Sequence, residues 1–532
     1  MNSPVRRVDV LYTGATFLTL DDDRSEAEAI GVVGDRIAFV GAADQAATIE
    51  ADRTVDLDGA VVVPGLIDIH THVELNAATK AFWIGCLHMS VEEFIADVSR
   101  RAAVAAHGEW VVYQGGYHIP DIDLAALDAA SGDVPVVLRW TMHKVLANSA
   151  ALRASGIDDR TVEAPGMRLG RDENGSLTGV LEEAWDLLAW QAPDEDALTQ
   201  ALEATLREAY LRHGVTTVHE IVASDAGVRA FQRLARRSSI PRIGLLFAAR
   251  PGNQPLLDVG SFAAMGLSSG FGSDELWFQA IKIFVDGGRS GAFRIANMTA
   301  PAPDWGLLTR TPQQLVSEVA TAVGAGIQVA IHATGDLAEE MAVSAIEFVS
   351  RIHPDADHRT RIEHFYCESF GDTALLERLV AAKGIAAPNP GFVYAEPSDP
   401  DLQIPPRSVK YALRTLRAHQ GFVPGVSDTA GAQPWLTNPW FVMRCMMTMK
   451  NAEGVVITPD ETLTFEEALL SYTRDSAYAT RQEADKGSLE AGKLADFVVL
   501  GEDPRTRDPE TLDSIPRLAT VVGGSVRWGD LS

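Results

Sequence analysis

Residues 63–72 read VPGLIDIHTH. A mainly apolar run ending in two histidines one residue apart has the pattern of a buried strand with polar groups at its end. Side chains alternate in direction along a strand, so His70 and His72 point to one side, where a single metal ion can accept both imidazoles. By itself this pair is a weak signal, since two histidines around one residue also occur by chance. Its weight comes from the rest of the chain. Apolar strand-like segments alternate with Ala/Leu/Arg/Glu-rich helical stretches at GVTTVHEIV (214–222), RIGLLFAAR (242–250), ELWFQAIKIFVDG (275–287), GIQVAIHATG (326–335), RTRIEHFYC (359–367), GIAAPNPG (384–391) and GFVPGVSDT (421–429). This alternation is the signature of a parallel α/β fold, and eight strands suit a closed (β/α)8 barrel of the TIM type.

Functional residues of such barrels gather where strands end. His332 closes the fifth strand candidate, His364 the sixth and Asp428 the eighth. Taken singly, each histidine has an ordinary reading as a core or loop residue, and Asp428 as a turn or cap. Together with His70 and His72 they converge on one mouth, and imidazole and carboxylate are both good ligands for zinc-like ions. Lys282 lies inside the apolar strand WFQAIKIFVDG, where an unpaired ammonium would cost several kcal/mol in desolvation. Only eight lysines occur in the chain, so one in a buried strand demands a reason. Either it pairs with a neighbour such as Asp286, or it belongs to the site.

Residues 1 to about 63 have short strand patterns separated by Gly and Asp turns, and KLADFVVL and LATVVGGSVRWG near the other end supply partners. The expected organisation is a small composite β-sandwich from residues 1–63 and 478–532, with a barrel over 64–477. The stretch 74–206 is too long for a strand-to-helix loop and carries its own strand and helix patterns, so it is expected to be an inserted α/β subdomain capping the site. Within it, Phe82, Trp83, Tyr117, His118 and Trp140 are candidates for either pocket wall or core.

The chain has 532 residues, 46% hydrophobic and 22% charged, and 73 acidic against 45 basic side chains give it a net charge of -28. That acidity disfavours nucleic acid and anionic membrane surfaces as partners and serves solubility. The three cysteines, Cys86, Cys367 and Cys445, match no zinc or redox spacing and make no disulfide framework. No run reaches the roughly 18 apolar residues of a membrane span, and the start of the chain lacks a cleavable leader pattern. A cytoplasmic protein is expected, with a homodimer left open. DGGRSGAF (residues 286–293) is Gly-rich but lacks the phosphate-loop and dinucleotide patterns, and is expected to line the pocket.

The motifs VVPGLIDIHTH, GVTTVHE, IKIFVDGG, IHATGD, RIEH, GVSD, SYTRDSAYAT and GSLEAGKLADFVVLGEDP run in order along nearly the whole chain. In them the chain resembles the amidohydrolase superfamily, and within it the amidohydrolase-3-type group that includes N-substituted formamide deformylases. The resemblance implies a distorted barrel and a centre of one or two divalent ions, usually zinc. His70 and His72 would bind one ion and His332 and His364 the second. Lys282 would be carboxylated on its amine and bridge them, and Asp428 would bind metal and accept the proton of the attacking water. Catalysis is thus expected from Asp428 and Lys282, with His219 as a further candidate. His143, Arg289, Trp83 and His118 are candidates for substrate contact. Where many relatives have Asp-Gly before the histidine corresponding to His143, this chain has Thr141 and Met142. Asp336 in HATGD has either a catalytic or a supporting role.

The activity implied is hydrolysis of a C–N bond in a small, non-peptide amide. Heterocycle deamination fits less well, because deaminating relatives usually carry Glu a few residues after the strand-five histidine, and here that neighbourhood reads HATGD. Hydrolysis of cyclic amides, ureas or carbamates, decarboxylation and a catalytically inactive scaffold are the remaining alternatives.

Overall fold

A computed structural model gives the fold; it describes residues 5–531 except 117–121, 142, 191, 250–257, 289–290, 293–303, 366–367, 370–372, 403–407 and 431–432. Seven parallel strands follow one another in chain order across one sheet: β1 (Leu66–Thr71), β2 (Val215–Val222), β3 (Arg242–Ala249), β4 (Leu276–Phe284), β5 (Gln328–His332), β6 (Arg361–Glu363) and β7 (Ile385–Ala387). Parallel strands are buried on both faces, which is why they lack the polar alternation of a half-exposed sheet. Helices return the chain between strands and cover the outside. The helix Pro312–Gly324 shows how they start. Thr311 accepts from the Gln314 amide and Pro312 fills the first turn, where no amide donor is needed. Its buried Leu315, Val319, Ala322 and Val323 meet the strand residues Ile281, Ile283, Val329 and Ile331 in the main core. Each such side chain contributes about 1.5–3 kcal/mol on full burial.

The eighth segment differs from the sequence expectation. Residues 423–428 lie beside β1, with Ile69 N donating to Gly425 O (3.2 Å) and Asp428 N to His70 O (2.8 Å), but they do not form a regular strand. Pro424 has no amide to donate, and Asp428 takes a left-handed φ of 50°. The result is a distorted TIM-like barrel of seven paired strands and one irregular stave.

The opening motif also divides. Val61–Pro64 pairs antiparallel with Phe497–Leu500, with Val63 opposite Val498, and Gly65 N donates to Asp496 O at 2.9 Å before β1 begins. Thr216 stands where a Cβ on Gly65 would go, so only glycine allows this close approach. Val61–Pro64 thereby joins a six-stranded sheet with Thr16–Leu18, Glu26–Ala27, Phe497–Leu500, Arg517–Val522 and Ser525–Gly529. A four-stranded sheet of Arg7–Thr13, Ala29–Val33, Arg36–Gly41 and Glu50–Asp56 shares a core with it, where Ile30, Val32 and Val55 meet Phe17, Val62, Phe497 and Val521.

After β1 the chain builds another six-stranded sheet, from Ile84–Gly85 to Leu177–Glu182. The helices Val73–Ala81 and Glu195–Thr205 flank it in sequence and place Val73, Ala77, Leu198 and Leu202 in the barrel's core.

Candidate metal centre

His70 is next to last in β1 and His72 caps the helix that follows, so both reach the carboxyl mouth of the barrel. Their Nε2 atoms are each 3.2 Å from Asp428 Oδ1. One ligand atom from each of His70, His72 and Asp428 lies within 4.8 Å of the others, the spacing of groups that share an ion. His364 Nδ1 is 3.9 Å from Asp428 Oδ2, and its ring lies 5.3 Å from that of His70 and 4.5 Å from that of His332, centroid to centroid. The structure therefore brings His70, His72, His332, His364 and Asp428 together.

His364 follows β6 directly, and its neighbour Glu363 receives a hydrogen bond from His70 Nδ1. Adjacent strand residues would point to opposite faces, but His364 takes a φ of 71°, which breaks the alternation and brings both side chains to the site. Left-handed backbone at His364 and Asp428 is strain of the kind that concentrates at functional sites. Glu363 was not anticipated from sequence, although it stands inside RIEH. Arg361 Nε also donates to it, and a carboxylate behind a ligating histidine fixes the ring's tautomer and orientation.

The electrostatics keep three of the four imidazoles unprotonated. Burial pushes His72 down to about 4 and His364 down to about 3, and holds His332 well below the usual histidine value, so all three are neutral at pH 7. His70 goes the other way. Burial and Lys282 lower it, but Asp428 and Glu363 outweigh them. Burial would raise Asp428, yet His70, His72 and His364 hold it well below the usual carboxylate range.

Lys282 is fully buried on β4, its ammonium nitrogen without a hydrogen-bond partner among the described residues. Burial pushes it down to about 8. The pairing with Asp286 considered from sequence does not form. Strand β4 ends at Phe284, and Asp286 instead accepts from Ala292 N (2.9 Å), Thr334 N (3.0 Å) and Gly335 N (2.8 Å). It thus anchors the loop after β5, with His332 Nε2 at 3.5 Å from its Oδ1. An amine with no hydrogen-bond partner among the described residues, beside buried imidazoles and the Asp428 carboxylate, is a donor set that a divalent ion would fit.

The other candidates separate. His143, from the inserted sheet, reaches the mouth with its ring 5.0 Å from that of His332, despite the altered residues before it. His219 does not join the cluster. It is fully buried on β2, edge-on to Trp277 at 5.7 Å, and burial with nearby Arg361 and Lys486 keeps it neutral. Trp83 packs against Leu75, Phe284 and Ala430 at the mouth, but the Arg139 guanidinium stands 4.1 Å above its ring, so that face is not an open stacking platform. Asp336 begins the helix Asp336–Ile352, where a carboxylate complements the helix dipole. Arg289 and His118 lie outside the described residues.

A parallel barrel with a buried histidine–carboxylate cluster at its carboxyl mouth defines a metal-dependent hydrolase of the TIM-barrel class. The amidohydrolase family matches residues 53–527, and the chain belongs to that family and is a hydrolase acting on carbon–nitrogen bonds. It is 27% identical to the N-substituted formamide deformylase of Arthrobacter pascens, over 98% of this chain and 98% of that protein. A 5-methylthioadenosine/S-adenosylhomocysteine deaminase of Syntrophobacter fumaroxidans is 43% identical over 256 residues, 45% of this chain and 56% of that protein. Among solved structures, an uncharacterized metal-dependent hydrolase from Pyrococcus horikoshii superposes with a TM-score of 0.72 at 20% identity, covering 94% of this chain and 99% of that one. Among the described residues no helix is long and apolar enough to cross a membrane.

Proposed function

We propose that the protein hydrolyses the C–N bond of a small, non-peptide amide of the formamide type. The observation that carries this reading is the near full-length similarity to a formamide deformylase, in a chain whose His70, His72 and Asp428 lie close enough to share an ion. A divalent ion, zinc in this proposal, lowers the pKa of water and polarises a carbonyl when bound. His70, His72 and Asp428 would hold one ion, and His332 and His364 a second. Lys282 would supply an anionic oxygen ligand: its neutral amine adds to CO2, a C–N bond forms as one C=O π bond breaks, the amine proton leaves to solvent, and a carbamate results. Burial favours this step by making the neutral amine accessible near pH 8. Asp428 takes a proton from the attacking water and passes it to the leaving nitrogen. The β-unit of residues 1–63 and 478–532, a cap over 74–206 and a cytoplasmic location belong to the same proposal.

The deaminase similarity supports a second reading on the same site, ammonia release from a heterocycle. Zinc-loaded protein is to be assayed on N-substituted formamides, acylamides, ureas and carbamates, with amino-heterocycles as a separate arm and metal content measured alongside. Cleavage within the first set is expected. Ammonia from the heterocycles alone would replace this reading with the second. Silence in both arms, with less than one metal ion bound per chain, would point to an inactive scaffold.

A further inference from the structure

The inserted sheet carries one ionisable pair into the barrel mouth. His143 lies on the turn between the strands Val136–Arg139 and Lys144–Ala147, and besides His332 its ring faces Phe284 at 6.1 Å. Gly288, on the loop after β4, lies against it, and a Cβ there would come within 2.5 Å of His143 Cδ2. Across the ring, Nδ1 is 2.8 Å from Glu183 Oε1, while the Glu183 amide donates to the His143 carbonyl at 2.8 Å. Glu183 adopts a left-handed φ of 51°. A non-glycine residue there costs about 1–2 kcal/mol and persists only where its surroundings impose it. Side chain and backbone thus bind the same two residues in opposite senses, clamping the ring to the end of the strand Leu177–Glu182. An imidazole that gives its Nδ1 proton to a carboxylate has one other polar atom, Nε2.

We propose that Glu183 is the positioning residue for His143, holding the ring with its Nδ1 proton on the carboxylate so that Nε2 is the end offered to substrate. The functional part of this proposal rests on the reading of the mouth as a hydrolytic site, whereas the tautomer does not. Two measurements on zinc-loaded protein separate them. Histidine-selective 15N NMR, with His143 assigned by its absence in His143→Gln, is expected to show that Nε2 is the nitrogen that loses its proton as pH rises while Nδ1 keeps its own. Glu183→Leu is expected to lose that preference, and Glu183→Gln, which keeps an acceptor oxygen, to retain it. With formanilide as probe, Glu183→Leu is expected to lower kcat about tenfold or more, as removal of a histidine's carboxylate partner does. KM and bound zinc should stay within twofold of wild type, and Glu183→Gln should recover most of the loss. A wild-type ring that releases its Nδ1 proton first, an unchanged tautomer in Glu183→Leu, or zinc loss in that variant would overturn the assignment. Failure of wild-type protein to cleave formanilide would count against the hydrolase reading and leave the NMR result to decide this one.

Discussion

Glu363→Gln tests whether the carboxylate behind His70 serves the centre or only its neighbours. Glu363 accepts from His70 Nδ1 and from Arg361 Nε, and all three side chains are buried. Glutamine keeps the size but offers one acceptor oxygen, so one of the two donors must face its NH2 group. An unmade buried hydrogen bond to a charged group costs about 1.5–3 kcal/mol. Arg361 retains Ile69 O at 3.1 Å, so its own loss is partial. On the metal side, removing such a partner weakens affinity about 10–100-fold. At 1.36 kcal/mol per decade this is about 1.4–2.7 kcal/mol. Zinc affinity measured by competition with a chelating dye, beside urea unfolding of stripped protein, reads the two effects separately. Both should fall. A zinc Kd within twofold of wild type, with stability reduced, would refute the reasoning and assign Glu363 to Arg361 alone.

Asp428→Asn keeps the shape and removes the proton acceptor, so turnover should fall about 10²–10⁴-fold, whereas near wild-type turnover would exclude Asp428 as the base. Lys282→Ala should leave the fold intact by circular dichroism but lose tightly held zinc; 13C-bicarbonate should give a carbamate carbon signal in wild type that this variant lacks. Lys486 is buried against Trp277, its ammonium nitrogen 4.5 Å from the ring centroid, and burial pushes it from 10.5 down to about 7. Between those values the unfolded chain holds a proton that the folded one has released, so this contribution to stability grows as pH rises from 7 toward 10.5 and is lost as pH falls through 7. The difference in unfolding free energy between wild type and Lys486→Met should climb across that window, and parallel curves would show that Lys486 stays charged in the fold.

The order of strands and the gathering of His70, His72, His332, His364 and Asp428 were legible because each residue closes an apolar run, and barrel topology sends those ends to one mouth. Glu363 was not, because a strand's period of two turns the neighbour of a site residue away, and the left-handed bend at His364 has no sequence signature. Asp286 misled for a related reason. Four residues after Lys282 would share its face on a continuing strand, but β4 stops two residues earlier. The division of VPGLIDIHTH at Gly65 was hidden by apolar residues on both sides, which suit either sheet. His219 sits on a strand as His70 and His332 do, but within its run rather than at the end, and there the packing against Trp277 decides.

That division at Gly65 bears on how the protein is made. The strand immediately before β1 is fastened to Phe497–Leu500, and within it Val63, which faces Val498, stands only seven residues ahead of His70. Domains fold as the ribosome releases them, from the N-terminal side first. Here the earliest part of the site must wait with one flank unpaired until residue 500 has emerged, more than four hundred residues later. The metal centre is therefore among the last parts of the nascent chain to become complete, and apolar Val61, Val62 and Val63 are what a chaperone would meet in the interval.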